Sequence, residues 1–279
     1  MADQLPQHSP DVVVVTGAGG MGVAIARRLG SGRSLYLADA SQDRLDRVVD
    51  ELSDEGYAAR GVLVDVRDRT SVEKLAAEAA GARRVAAVVH TAGVSAAQGS
   101  AQTILDVNLL GTVHIIDAFE KVATPGMSLV CVSSMAGHVA SLSPADEAAL
   151  ATAPVGELLA VDAVAAVGDD ARRAYIVSKR ANQLRVEAAA LAWNRLGARI
   201  NSVSPGVIAT AMAKAEAEGP SGAHMLGMLE TNGAVRTGTP AEIAAAVAFL
   251  TGPEARYITG TDLLVDGGQA AWLRRHRAA

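Results

Sequence analysis

The stretch that decides the fold is Thr16-Gly17-Ala18-Gly19-Gly20-Met21-Gly22. It follows Asp11 to Val15, an apolar run of the kind that lies buried in a parallel sheet, and precedes Val23-Ala24-Ile25-Ala26-Arg27-Arg28-Leu29, whose apolar residues have helical spacing. Gly17, Gly19 and Gly22 fit G-x-G-x-x-G. Between a strand and a helix, such glycines allow a sharp turn, let a pyrophosphate approach the backbone and let helix pack on strand. The helix N-terminus attracts the phosphate charge. Gly17, Gly19, Gly20, Met21 and Gly22 are therefore expected to cradle a dinucleotide.

Strands and helices alternate outward from this point. Ser34 to Ala38 reads as the second strand and ends at Asp39, close to where a ribose-binding carboxylate is expected; a turn or helix-cap role is the alternative. Ala40 follows, with no adjacent Arg or Lys to neutralise a 2'-phosphate, so the carboxylate is read as selecting NAD over NADP, a reading that Arg44 complicates. Helix Gln42 to Leu52 and strand Gly61 to Val64 come next. Asp65, followed by Val66, either reaches an adenine amino group or caps a helix beginning near Ser71. Helix Val72 to Ala80 leads to strand Val85 to Val89 and then His90-Thr91-Ala92-Gly93, where small residues let a cofactor lie against the backbone. His90 reads as a packed strand-end residue.

A helix from Ala101 to Lys121 carries Asn108, whose buried amide must bond something and could hold a water or kink the helix. Strand Ser128 to Val132 delivers Ser133 and Ser134, which either orient a substrate carbonyl or are turn residues. Farther on, Tyr175-Ile176-Val177-Ser178-Lys179 puts a phenol and an ammonium one helical turn apart on one face. A phenol titrates near pH ~10, but a positive charge about 4 Å away, worth up to about 4 kcal/mol at an effective dielectric of about 20, lowers that pKa by a few units. Tyr175 would then suit acid-base work.

Composition agrees. A chain of 279 residues, 50% hydrophobic, 3% aromatic and 20% charged, is long enough for a large core and fits one α/β domain. The net charge of -5 argues against a nucleic-acid footprint, and no stretch is apolar for long enough to span a bilayer. Residues 1–10 read as a disordered polar tail without a secretory core, 11–270 as the catalytic domain and 271–279 as a basic C-terminal tail, in a cytoplasmic protein. The single cysteine, Cys131, is expected to pack as a small hydrophobe, and no histidine has metal-ligand spacing.

These patterns together resemble the short-chain dehydrogenase/reductase family from Val12 to Gly268. The resemblance implies a Rossmann fold with a doubly wound, seven-stranded parallel sheet flanked by helices, and a catalytic tetrad of Asn108, Ser134, Tyr175 and Lys179. Tyr175 would be the acid-base and Ser134 would polarise the substrate oxygen. Lys179 would hold the nicotinamide ribose and lower the phenol's pKa, while Asn108 would position a water. Cofactor contacts would come from the glycine loop, Asp39, Ala40, Asp65, Val66, Thr91, Ala92, Gly93, Tyr175, Lys179 and the segment Pro205, Gly206, Val207, Ile208 and Thr210. The implied activity is interconversion of a small-molecule secondary alcohol and ketone with NAD, by a homodimer or homotetramer.

Three departures stand out. The glycine loop is one residue short, His90-Thr91-Ala92-Gly93 replaces the usual Asn-Asn-Ala-Gly, and Ser134 and Tyr175 are unusually far apart. The added segment, 140–172, is read as one or two helices that cap the cleft or cover an oligomer face. It is similar to an insertion in the branch of 3α-hydroxysteroid dehydrogenase/carbonyl reductases, which suggests a hydrophobic, steroid-like substrate and a modified tetramer. The substrate loop is expected at 211–238, with Met212, Met225 and Met228 as candidate pocket residues. A non-catalytic NAD sensor or scaffold is the alternative; an epimerase fits less well because position 23 is Val.

Overall fold

The computed structural model describes residues 11–219 and 236–276, with positions 222, 227, 229 and 230 between them. Seven parallel strands, β1 (Val12–Thr16), β2 (Ser34–Asp39), β3 (Ala58–Leu63), β4 (Val85–His90), β5 (Ser128–Val132), β6 (Arg199–Pro205) and β7 (Asp262–Val265), lie in the order β3-β2-β1-β4-β5-β6-β7. The order reverses between β1 and β4, and the crevice at the carboxyl ends of such strands is where open α/β sheets bind ligands.

β1 is wholly buried because both sheet faces are covered. Val13 and Val15 face α1 (Gly20–Gly30), α2 (Gln42–Asp54) and α10 (Pro240–Thr251). Val12 and Val14 face α3 (Arg69–Ala82), α5 (Gly111–Glu120) and the second half of α8 (Ala171–Arg195). Cys131 is a fully buried member of that second layer, as its apolar setting implied. α10 starts with a capping box: Thr239 and Glu242 bond each other's backbone amides, and Pro240 occupies the first turn.

Several boundaries differ from those read in the sequence. β3 starts at Ala58 rather than Gly61 because it is an edge strand, exposed enough that Leu63 is 57% accessible, so its apolar signal is weak. α3 begins at Arg69, capped by Asp68, so Asp65 is not its cap. The segment from 271, expected as a tail, is helical within α11 (Gln269–His276), where Trp272 stacks on His276. Residues 1–10, Met225 and Met228 lie outside the described residues, and Met212 is half-buried in α9 (Ala211–Glu218).

The insertion folds as α6 (Pro144–Thr152), a 3-10 turn (Val155–Ala160) and the short α7 (Asp162–Ala165). Its Leu150, Leu158, Val164 and Val167 are buried with Ile104, Leu105, Leu109, Ala174, Val177, Ala181 and Leu184, making a third core against α8 and α4 (Ala101–Ile104). Ala188 and Leu191 continue the helical apolar spacing of α8, but both are exposed, Leu191 at 71%. The helix changes partner midway: Ala174, Val177, Ala181 and Leu184 pack under the insertion, and Val186, Ala190 and Trp193 pack on the sheet.

Candidate active site

The glycine loop sits at the carboxyl end of β1. Gly17 has φ +88°, and a β-carbon on Gly22 would lie 1.9 Å from the Gly17 carbonyl oxygen, so neither position admits another residue without rebuilding the turn. Gly19 differs, because a β-carbon there would meet nothing within 4 Å. That open space in front of the α1 N-terminus fits a bound pyrophosphate. Gly22→Ala is expected to lower the melting temperature and abolish NADH binding, whereas Gly19→Ala should melt like the wild type yet bind NADH at least tenfold more weakly. Fluorescence titration and thermal unfolding would check both, and undiminished binding by Gly19→Ala would remove the loop from the cofactor site.

Asp39 ends β2 beside this loop, nearly buried. Its Oδ2 accepts from the Ala18 amide at 2.8 Å and its Oδ1 from the Ser41 amide at 2.9 Å. Arg44 donates to both oxygens at 3.1 Å, so a cation does reach this carboxylate, from five residues along rather than from the adjacent position. Ser41, not Asp39, caps α2. Asp65 is chelated by Arg67, with nitrogen–oxygen distances of 2.6–3.0 Å, which holds its carboxyl below the usual range. Asp65, Arg67, Asp68, Asp106 and Leu110 line an open cleft of about 380 Å³. Val66 is buried, and its carbonyl accepts from His114 Nδ1.

His90 and Thr91 answer the doubt over their departure from the usual motif. The Thr91 hydroxyl lies 2.8 Å from the Thr16 carbonyl and 3.0 Å from that of Gly17, tying β4 to the glycine loop. His90 is buried between the hydroxyls of Thr16 and Thr112. Thr112 donates to the Asn108 carbonyl, so it accepts from His90 Nε2 and leaves Nδ1 to accept from Thr16. Burial, helped by the nearby Lys179, pushes the His90 pKa down to about 3. The ring is a neutral packing element, as the sequence suggested.

Asn108 does distort its helix: Leu105–Leu110 is a π-helical segment between α4 and α5. Its amide bonds both the N–H and C=O of Val94 at 2.9 Å, which fixes the loop after Gly93. A β-carbon on Gly93 would lie 3.2 Å from Asn108 Oδ1 and 3.6 Å from Lys179 Nζ, so the glycine brings these groups together behind it.

Lys179 is buried, donates to the Val132 carbonyl at 3.1 Å and lies 5.7 Å from the centre of the Tyr175 ring. Desolvation lowers its pKa to about 8, which leaves the ammonium charged at neutral pH. Ser133 and Ser134 have different partners, and of the two roles read for them the turn role is the one seen, at Ser134. The Ser133 hydroxyl donates to the Lys179 carbonyl at 2.7 Å and anchors α8, while Ser134 Oγ accepts from the Ala136 amide at 3.1 Å and caps the 3-10 turn Met135–Val139. Pro205 to Ile208 leave β6 toward this edge, and Thr210 comes within contact distance of where a Gly20 side chain would start, closing the loop over the glycine turn. Thr112, Gln183, His138 and Asp262 were missed in the sequence; their contacts join positions far apart in the chain. No described helix is long and apolar enough to cross a membrane, and no metal-holding cluster occurs among the described residues.

Comparison with known proteins agrees with this geometry. Residues 11–145 match the family model described as short chain dehydrogenase, and residues 142–270 that described as enoyl-(acyl carrier protein) reductase. A short-chain dehydrogenase/reductase of Alternaria brassicicola is 36% identical over 96% of this chain and 98% of its own. Galactitol 2-dehydrogenase of Cereibacter sphaeroides is 31% identical, covering 92% and 94%, and cyclopentanol dehydrogenase of a Comamonas species is 30% identical, covering 93% and 96%. Among solved structures, an actinorhodin polyketide ketoreductase with NADPH superposes with a TM-score of 0.76 at 24% identity, covering 95% of this chain and 99% of that one. This chain belongs to the short-chain dehydrogenase/reductase family.

Proposed function

We propose that the protein is an NAD(H)-dependent oxidoreductase interconverting a secondary alcohol and a ketone, with Tyr175 as its acid-base. The observation that carries this reading is the buried ammonium of Lys179 beside the Tyr175 ring, at the same sheet edge as the Ser134 cap and the open face of Gly19. A bound nicotinamide supplies the hydride acceptor or donor. The chain supplies the rest. Ser134 Oγ accepts the Ala136 amide, which leaves its proton to donate to a substrate oxygen. In oxidation Tyr175 takes the hydroxyl proton as the carbon gives up its hydride, and Lys179 stabilises the phenolate that this requires. Reduction reverses both transfers.

Asp39 favours NAD, since a 2'-phosphate would meet its carboxylate, and Arg44 tempers that preference because its guanidinium lies at the same place. Three curated relatives are named for galactitol, D-threitol and cyclopentanol. Their names support small secondary alcohols, linear or cyclic. The steroid-like alternative loses one support, because the insertion's Leu150 and Leu158 are spent on packing rather than on lining a cleft.

Oxidation of NADH and NADPH should be followed with cyclopentanone, L-tagatose and a 3-ketosteroid. At least one ketone should turn over, faster with NADH than with NADPH by tenfold or more. No nucleotide oxidation with any of the three would count against the activity, and an NADPH preference would reverse the reading of Asp39.

A further inference from the structure

We infer that Gln183, Ser204, Asp262 and His138 form a closed hydrogen-bonded ring that positions Ser134; this rests on the proposed role of that serine. Ser134 caps the 3-10 turn Met135–Val139, so the direction of its hydroxyl is set by the turn. The ring grips the turn at two points. At one end the Gln183 side-chain amide donates to the Ser134 carbonyl at 3.4 Å and packs against Gly137, where a β-carbon would stand 2.7 Å from its nitrogen. At the other, His138 Nε2 meets Asp262 Oδ2 at 2.6 Å.

The two grips are joined through the sheet. The second N–H of the Gln183 amide donates to Ser204 Oγ at 3.0 Å, and the Ser204 hydroxyl donates to Asp262 Oδ1 at 2.9 Å. The Ser202 hydroxyl donates to the same oxygen. Ser202 and Ser204 are fully buried on β6, Gln183 is 5% exposed, and Asp262 opens β7, so the ring is fixed to rigid elements. The amide's orientation is set from outside by Arg180, which donates to Gln183 Oε1 at 3.2 Å and pairs with Glu147 of the insertion at 2.7 Å. The added segment is thereby coupled to the catalytic turn. The bonds from Gln183 through Ser204 to Asp262 end at Ser134 on one side and at His138 on the other, and none touches the glycine loop.

Positioning residues of this kind act on turnover rather than on cofactor affinity. The test compares Gln183→Met, which keeps the volume and loses both donors, His138→Phe, His138→Gln, the Gln183→Met/His138→Phe double variant and Tyr175→Phe. We expect kcat for ketone reduction to fall about 10- to 100-fold in Gln183→Met and His138→Phe, as displacement of a catalytic group by about 1 Å costs. NADH affinity should stay within twofold. His138→Gln, whose amide still reaches Asp262, should recover most of the loss, and the double variant should be no worse than about the weaker single, because one ring is broken once. Hydrogen exchange of the peptide 133–140 should quicken at least tenfold in both broken-ring variants, a readout independent of turnover. Unchanged exchange, wild-type kcat, multiplying losses in the double variant, or a parallel loss of NADH affinity would each overturn the ring. An active Tyr175→Phe would sink the oxidoreductase reading instead.

Discussion

Tyr175→Phe is expected to lower kcat about 100- to 10,000-fold, the range that a positioned acid-base contributes, while NADH affinity and melting temperature stay near those of the wild type. The ring stays because Phe keeps the packing of the half-buried Tyr175 against the third core, and a volume-conserving swap there costs less than about 1.5 kcal/mol. The hydroxyl is lost, and with it the exchangeable proton. Steady-state kinetics with NADH and a ketone, paired with a fluorescence titration of NADH, separates the two effects. Turnover within tenfold of the wild type would remove Tyr175 from the chemistry.

Lys179→Met carries the second large effect and has two readouts. Turnover should fall about a thousandfold or more, because the phenol then loses the cation that stabilises its anion and the Val132 carbonyl loses its donor. The stability profile should change as well. Burial lowers the Lys179 pKa to about 8, below the value of roughly 10.4 in an unfolded chain. Between those values the unfolded state binds the proton and the native state does not, so stability rises with pH across the window. Below pH ~8 the cost of burying the ammonium is fully present, and above about 10.4 it is gone. The rise is worth roughly 3 kcal/mol, and the Met variant lacks it. Urea unfolding of both proteins at pH 7, 9 and 10.5 measures the difference; parallel stability curves would show that the ammonium is not desolvated.

The low pKa of Lys179 bears on the pairing with Tyr175. An isolated ammonium at this depth is costly, and the fold retains it with one carbonyl acceptor in β5 and with Ser133 holding the backbone beneath it. Such a group suits a site better than a core. Its neighbours are neutral for the same reason: His90 has its pKa depressed to about 3, and the Cys131 thiol is pushed up to about 12 by burial, so neither would compete for the proton that the proposed reaction assigns to Tyr175.

Much of the site was legible because its signals are local. Gly17 to Gly22 need particular backbone geometry within one turn, Tyr175 and Lys179 are one turn apart on one helix, and Ser134 follows two residues after a wholly buried strand. Thr239, Pro240 and Glu242 announce a helix start by a capping chemistry confined to four residues. Asn108 was flagged as a mid-helix amide needing a partner, and the π-helical segment with its two bonds to Val94 is how that need is met.

The illegible part is non-local. Arg44 was legible as a complication for Asp39, and it returns to that carboxylate along the first turn of α2; the contacts that stayed hidden span much longer separations. Apolar periodicity along α8 runs on through the exposed Leu191 and does not reveal that the helix changes partner midway. His138 and Asp262 are 124 positions apart, and their contact exists only because β7 lies beside β6 under the Ser134 turn.

Sequence alone therefore carried the dinucleotide-type glycine turn and the spacing that puts Tyr175 and Lys179 on one helix face, since each follows from backbone geometry or side-chain spacing over fewer than about ten residues, while the seven-stranded parallel sheet followed from the family resemblance of the whole chain. Tertiary structure decided how Lys179 is desolvated, what grips Ser134 and where the insertion packs. Those depend on which strands become neighbours, which is a property of the whole buried core rather than of any segment.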